Sequence, residues 1–254
     1  MTLVDTFKNP VFIFGVIIKI FLITLAHQAD VYWGYINFID LAMQNPTSPW
    51  QSWFAAHGAD SVFPYGFVML FLFMPLFTLA KLFHFDLSFA YFVTLFAFDV
   101  ILLFTLLRIF SKNQTLTLCL YWLSPIILFA TYYQGFNDLI PTSLMLLSFY
   151  FIKKQNFKLS GAFIALAISA KLSIILVMPL FLLYFYSNPN FRNRSVNFLK
   201  TFLPIMLVIF LPMILTNEHW QMITNNPDIP NLWNVKFALH DSVSFYLIPG
   251  LILF

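Results

Sequence analysis

Runs of about twenty apolar residues recur from one end of this chain to the other, and nothing constrains its fold more. They lie at 11–26, 63–83, 87–107, 115–133, 139–152, 159–186 and 195–215, and another opens at Ser242. A helix rising about 1.5 Å per residue needs about 20 residues to cross a hydrocarbon core about 30 Å thick. These are therefore the lengths of membrane spans. Only 9% of the 254 residues are charged, against about a quarter in soluble chains, so no separate soluble domain is expected. The chain reads as one all-α, polytopic membrane domain over 1–254. It has a first helix at 11–26, a long outer loop at 27–62 and a helical bundle at 63–215. A second outer loop at 216–241 and the start of a last, incomplete helix at 242–254 complete it. The first run has no small-residue cleavage site and reads as a retained signal anchor. Because the last run is cut short, a truncated copy or a fragment is expected.

Charge orients the bundle. Lys8, the pair Arg108 and Lys112, the cluster Lys153, Lys154 and Lys158, and the cluster Arg192, Arg194 and Lys200 all belong on the cytoplasmic side by the positive-inside rule. They can share it only if one run before Arg108 does not cross. The run 63–83 begins with Pro64 and Gly66 and carries Pro75 at its centre, residues that break or bend helices. It reads as a re-entrant or interfacial helix on the outer side, with a bent full span as the alternative. The run 159–186 reads as a hairpin broken at "ISAKLSI", with Lys171 at the tip. Its arms, about 18 and 22 Å long, fall short of the core thickness, which puts Lys171 at headgroup depth or somewhat deeper. Lys19 is expected to snorkel toward the cytoplasm. The outer face is then acidic and aromatic, and chemistry is to be sought there.

Three outer stretches carry polar residues suited to chemistry. Asp30 follows the first helix and is succeeded by Tyr32, Trp33 and Tyr35. A carboxylate partly desolvated among aromatic rings suits a general base toward a sugar hydroxyl; the plainer reading is a cap for the loop. Asp60 is the reserve base. The turn "YYQGFND" at 132–138 uses Gly135 to reverse the backbone, Asn137 or Asp138 to cap the next helix, and Pro141 in its first turn. Capping leaves Gln134 unaccounted for, so Gln134, Asn137, Asp138 and Tyr32 are read as sugar or acceptor contacts. Lys171, an ammonium at the tip of an apolar hairpin, marks either a lipid-phosphate site or an ion pair with Asp99 or Asp138. Glu218, His219 and His240 have no established metal-ligand spacing, and no metal or cofactor is assigned. Nucleic-acid signatures are absent, and the single Cys119 has no disulfide partner.

The stretch from "WLSPIILFATYYQGFNDLIPTSLMLLSFYFIKK" through "LSGAFIALAISAKLSIILVMPLFLLYF" resembles the multispanning glycosyltransferases of the GT-C superfamily. It looks closest to the catalytic subunit of glycosylphosphatidylinositol mannosyltransferase I and to bacterial polyprenyl-phosphate mannosyltransferases of family 87. The matching positions are Pro125, Gln134 to Asp138, Lys153 and Lys154, Gly161 to Ala170, Lys171 and Pro179, with "FPYG" at 63–66 and Asp99 adding to the pattern. The resemblance implies a GT-C-like helix bundle that transfers a hexose such as mannose, with inversion, from a polyprenyl-phosphate donor to a lipid or glycan acceptor. The site would lie on the extracytoplasmic side of a bacterial inner membrane, a plasma membrane or the endoplasmic reticulum. In that reading Asp30 is the base and Lys171 holds the donor phosphate. Such families often carry Asp-x-Asp or Asp-x-Glu in the first loop. Here it is Gln28-Ala29-Asp30, which leaves Asp30 as the sole base there. The alternatives are a polysaccharide polymerase or ligase, a transporter, and a non-catalytic structural subunit. The first usually needs more outer positive charge than Lys81, Lys171 and Lys236 provide, and the second needs midplane polar groups on broken helices.

Overall fold

The computed structural model describes residues 3–26, 31–188, 191, 194–225, 236–240 and 243–246. Its helices, in chain order, are α1 (Leu3–Phe7), α2 (Pro10–Ala26), α3 (Val31–Gln44), α4 (Pro49–Ala55), α5 (Phe67–Leu82), α6 (Leu87–Ile109), α7 (Gln114–Thr117), α8 (Pro125–Ile127), α9 (Leu139–Lys153), α10 (Phe157–Ala170), α11 (Met178–Ser187), α12 (Ser195–Ile214) and α13 (Asn217–Thr224). Wider, π-helical turns at Leu118–Trp122 and Leu128–Tyr133 extend α7 and α8. Among the described residues, three helical stretches are long and apolar enough to span: Leu87–Ile109, Gln114–Tyr133 and Ser195–Ile214. The expected polytopic helical bundle is present.

The last element departs from expectation. Strands β1 (Lys236–His240) and β2 (Val243–Tyr246) pair antiparallel, where the sequence suggested a helix opening at Ser242. Val-Ser-Phe-Tyr alternates β-branched or aromatic residues with a small one, which suits a pleated ribbon better than a helix.

α6 organises the bundle. It runs alongside α9 in the same direction: Tyr91 meets Gly135, Phe98 meets Ser143 (Oγ to carbonyl oxygen, 2.9 Å), and Ile109 meets Lys153 (Nζ to carbonyl oxygen, 2.7 Å). α2 runs oppositely, with Phe12 stacked on Trp122 at 4.9 Å, Lys19 level with Asp99, and Thr24 beside Asp86 and Ser88. α9 and α10 form an antiparallel hairpin bridged by the hydroxyls of Ser148 and Ser160 at 2.9 Å. α10 then packs so closely on α12 that a Cβ on Gly161 would sit 2.4 Å from the Phe198 carbonyl oxygen. Small residues let helix backbones approach in this way where apolar driving force is weak.

The two ends of the bundle differ in chemistry. At one, Lys153 bonds the end of α6, Arg108 and Lys154 lie over the Tyr150 ring, and Arg194 bonds Gln155. At the other converge the start of α6, the 134–138 turn and the tip of α10. α5 is continuous through Pro75. Its first end lies against the tip of α10, where a Cβ on Gly66 would be 2.0 Å from the Ser169 carbonyl oxygen. Its other end is followed after four residues by the start of α6.

One expectation is corrected inside the bundle. Lys19 does not snorkel: it is fully buried and bonds the Asp99 carboxylate at 2.7 Å. The hydroxyls of Tyr121 (2.6 Å) and Tyr132 also donate to Asp99. Neutralising an ammonium in an apolar interior requires such a partner, and Asp99, eighty residues away in sequence, supplies it.

Candidate functional site

The end of the bundle opposite the basic cluster holds a polar and aromatic group. Three elements build it. The first is the helix break at Lys171, where the backbone leaves α10 in an extended conformation (φ −145°, ψ 115°). "ISAKLSI" breaks there because the apolar continuation winds into a tighter helix at Leu172–Val177, and the lysine is left at the junction. The second is the 134–138 turn, where Gly135 adopts φ 74°, a left-handed conformation that glycine takes without a Cβ clash. The third is the "FPYG" segment, which brings Tyr65 to the tip of α10.

Lys171 forms an ion pair with Asp138, and its ammonium lies 5.9 Å from the centre of the Tyr65 ring. Tyr65 shares a hydrogen bond with the Tyr35 hydroxyl. Tyr35 in turn stacks on Tyr91 with ring centroids 6.3 Å apart, and Tyr91 donates to the Gly135 carbonyl at 2.7 Å. Burial, together with the neighbouring Tyr35 and Asp138, holds the Tyr65 hydroxyl well above the ordinary tyrosine value. Tyr65 is thus a neutral donor or acceptor here and never a base at physiological pH.

Asn137 is fully buried, and neither atom of its amide has a hydrogen-bond partner among the described residues; the same holds for the buried Ser169 hydroxyl. Buried polar groups are almost always satisfied. In sequence, Asn137 immediately precedes Asp138 and Ser169 lies two residues before Lys171.

The residues named from sequence fall as follows. Asn137, Asp138 and Lys171 come together, and of the partners foreseen for Lys171 it takes Asp138, not Asp99. Asp138 occupies the cap position of α9 but makes no side-chain cap. Gln134 ends the π-helical turn, half buried. Asp60 stands apart from the group: it is exposed, and its carboxylate accepts from Asn225 at 3.1 Å. Tyr32 lies in α3, but its side chain is outside the described residues, and Asp30 lies outside them altogether. His219 turns inward beneath Trp50, ring centroids 4.5 Å apart, and no three His, Cys, Asp or Glu side chains gather among the described residues. Sequence reasoning missed Tyr65, Tyr91 and Ser169 as members of the group and named Tyr35 only as loop aromatic. Only "FPYG" hinted at Tyr65.

This is an integral membrane protein built as a helical bundle, with a polar and aromatic group at the end opposite its basic cluster. A family model described as "ALG3 protein" matches residues 12–239, and the chain belongs to that family, whose members are membrane mannosyltransferases of GT-C type that use dolichyl-phosphate mannose. No curated protein and no solved structure matches the chain.

Proposed function

We propose that this chain transfers mannose from dolichyl-phosphate mannose to a lipid-linked oligosaccharide, at the Lys171 end of the bundle and on the extracytoplasmic, lumenal face of the membrane. The observation that carries this reading is Lys171. An ammonium at the tip of α10 lies between Asp138 and the Tyr65 ring, in a chain whose family works on a lipid phosphate.

Orientation follows from charge. The end carrying Arg108, Lys153, Lys154 and Arg194 is cytoplasmic by the positive-inside rule, so the Lys171 end faces outward. α10 has 14 residues, about 21 Å of helix, which supports a Lys171 recessed to the depth of lipid phosphates. Gly66 against the tip of α10 and the four-residue link from α5 to α6 support reading α5 as an interfacial helix on that face.

In the reaction, Asp30 takes the proton from an acceptor hydroxyl. That oxygen attacks the anomeric carbon from the face opposite the phosphate, the carbon–phosphate oxygen bond breaks, and the configuration inverts. The leaving group is dolichyl phosphate, whose developing charge Lys171 stabilises. Gln134, Asn137, Asp138 and Tyr32 contact the sugar or the acceptor, and Asp60 is the reserve base. Asp30 is the residue before α3, the helix that delivers Tyr35 to the group. The charges inside the bundle argue against transport: both oxygens of Asp99 are taken by Lys19, Tyr121 and Tyr132, which leaves no unpaired buried charge at mid-depth among the described residues.

The test is transfer of radiolabelled mannose from dolichyl-phosphate mannose, comparing wild type with Asp30→Asn at matched expression. Transfer by wild type and its loss in the variant are expected. Equal transfer by both would remove Asp30 and move the base to Asp60 or Asp138.

A further inference from the structure

The Asp138 carboxylate has no structural duty on its own helix. It sits at the cap position of α9, yet the Ile140 N–H bonds the Asn137 carbonyl at 3.1 Å, and the next residue, Pro141, has no N–H to offer. The carboxylate turns instead to Lys171. Both partners remain open to solvent, with side chains 33% (Lys171) and 56% (Asp138) exposed. In sequence, Asn137 precedes Asp138 and Ser169 lies two residues before Lys171, and the buried polar atoms of both have no hydrogen-bond partner among the described residues.

We propose that Asp138 is a stand-in anion: it occupies Lys171 while the site is empty, and the phosphate of a polyprenyl carrier displaces it. This rests on reading Lys171 as the phosphate-holding residue and adds to it a residue that weakens binding. An ion pair between two part-exposed side chains is cheap to break. A phosphate brings up to three acceptor oxygens against two and makes the stronger charge-assisted bond.

The exchange favours turnover. The sugar donor is a phosphodiester with one negative charge. The product carrier is a monoester with about −1.5 to −2 near neutral pH, so an isolated lysine would hold product more tightly than donor. Asp138 competes with both and, by returning to Lys171, speeds release of the more highly charged product. Asp138→Asn therefore lowers KM, lowers kcat and strengthens inhibition by the carrier phosphate.

The experiment is binding of a short-chain polyprenyl phosphate to the full chain in detergent, for wild type, Asp138→Asn, Asp138→Ser and Lys171→Gln, with inorganic phosphate as a second probe. Binding is expected to tighten roughly two- to fivefold in both Asp138 variants, as loss of an exposed competing pair allows, and to weaken in Lys171→Gln. Inorganic phosphate is expected to compete only at far higher concentration. Loss of binding in Lys171→Gln with unchanged or weaker binding in both Asp138 variants would overturn the stand-in role and leave the phosphate site intact. Equal binding by wild type and Lys171→Gln would overturn the phosphate site itself and the exchange with it. Inorganic phosphate binding as well as the lipid would overturn the assignment to a carrier. The two Asp138 variants must agree in direction, and an unchanged melting temperature separates the effect from misfolding.

Discussion

Tyr91 donates its hydroxyl to the carbonyl oxygen of Gly135 at 2.7 Å, tying α6 to the turn that carries Asn137 and Asp138. The bond is buried and spans forty-four residues of sequence. The same ring stacks on Phe73 of α5 at 4.9 Å and on Tyr35 of α3 at 6.3 Å, so one side chain joins α3, α5 and the 134–138 turn.

Tyr91→Phe keeps the stacking and removes the donor. The buried Gly135 carbonyl then loses that partner, and the expected cost is about 1–3 kcal/mol, measured as a lowered melting temperature in detergent. Activity is expected to fall further than stability alone explains, because the turn that carries Asn137 and Asp138 is no longer fixed.

The buried Lys19–Asp99 pair gives a sharper contrast. Lys19→Met alone strands a carboxylate that only Tyr121 and Tyr132 then contact, and it should destabilise by about 3–5 kcal/mol. Lys19→Met combined with Asp99→Asn removes both charges and should recover most of that loss. Denaturation of the two single variants and the double variant closes the cycle; additive losses would mean that the pair is not coupled.

Gly161→Ala tests the α10–α12 crossing. The added methyl would meet the Phe198 carbonyl oxygen at 2.4 Å, and both sides of that contact are backbone. The helices must separate, at an expected cost of about 1–3 kcal/mol, read as a lowered melting temperature.

His219 makes the docking of α13 pH-dependent. Burial lowers its pKa from 6.5 to about 4, with the Tyr65 backbone partly offsetting the effect. Between those values the undocked or unfolded state binds the extra proton, so stability is full above about pH 6.5 and falls as pH drops toward 4, by on the order of 2–3 kcal/mol. His219→Phe should flatten that slope. Melting temperatures of the two proteins between pH 7 and pH 5 make the comparison.

Much of this was legible in the chain, and the remainder has a physical reason. The helix break at Lys171 and the reversal at Gly135 were readable because each rests on local chemistry, a polar residue in a run too long to cross once and a glycine before two Asx residues. The basic residues that gather at one end of the bundle followed from charge alone. Lys19 was misread because its partner lies eighty residues away, and a lone lysine near a helix end looks like one that reaches for water. Tyr65 and Tyr91 were invisible as site residues because only the packing of α5, α6 and α9 brings them together. The strand at Val243–Tyr246 was mistaken for helix because four apolar and small residues fit either period.

The most direct measurement is mannose transfer by the purified chain reconstituted in liposomes, with dolichyl-phosphate mannose as donor and a lipid-linked oligomannose as acceptor, for wild type and Lys171→Gln. Donor-dependent incorporation by wild type and a loss of at least tenfold, about 1.4 kcal/mol, in the variant are expected. Equal incorporation by both, or none that depends on the dolichyl-phosphate donor, would contradict the proposed function.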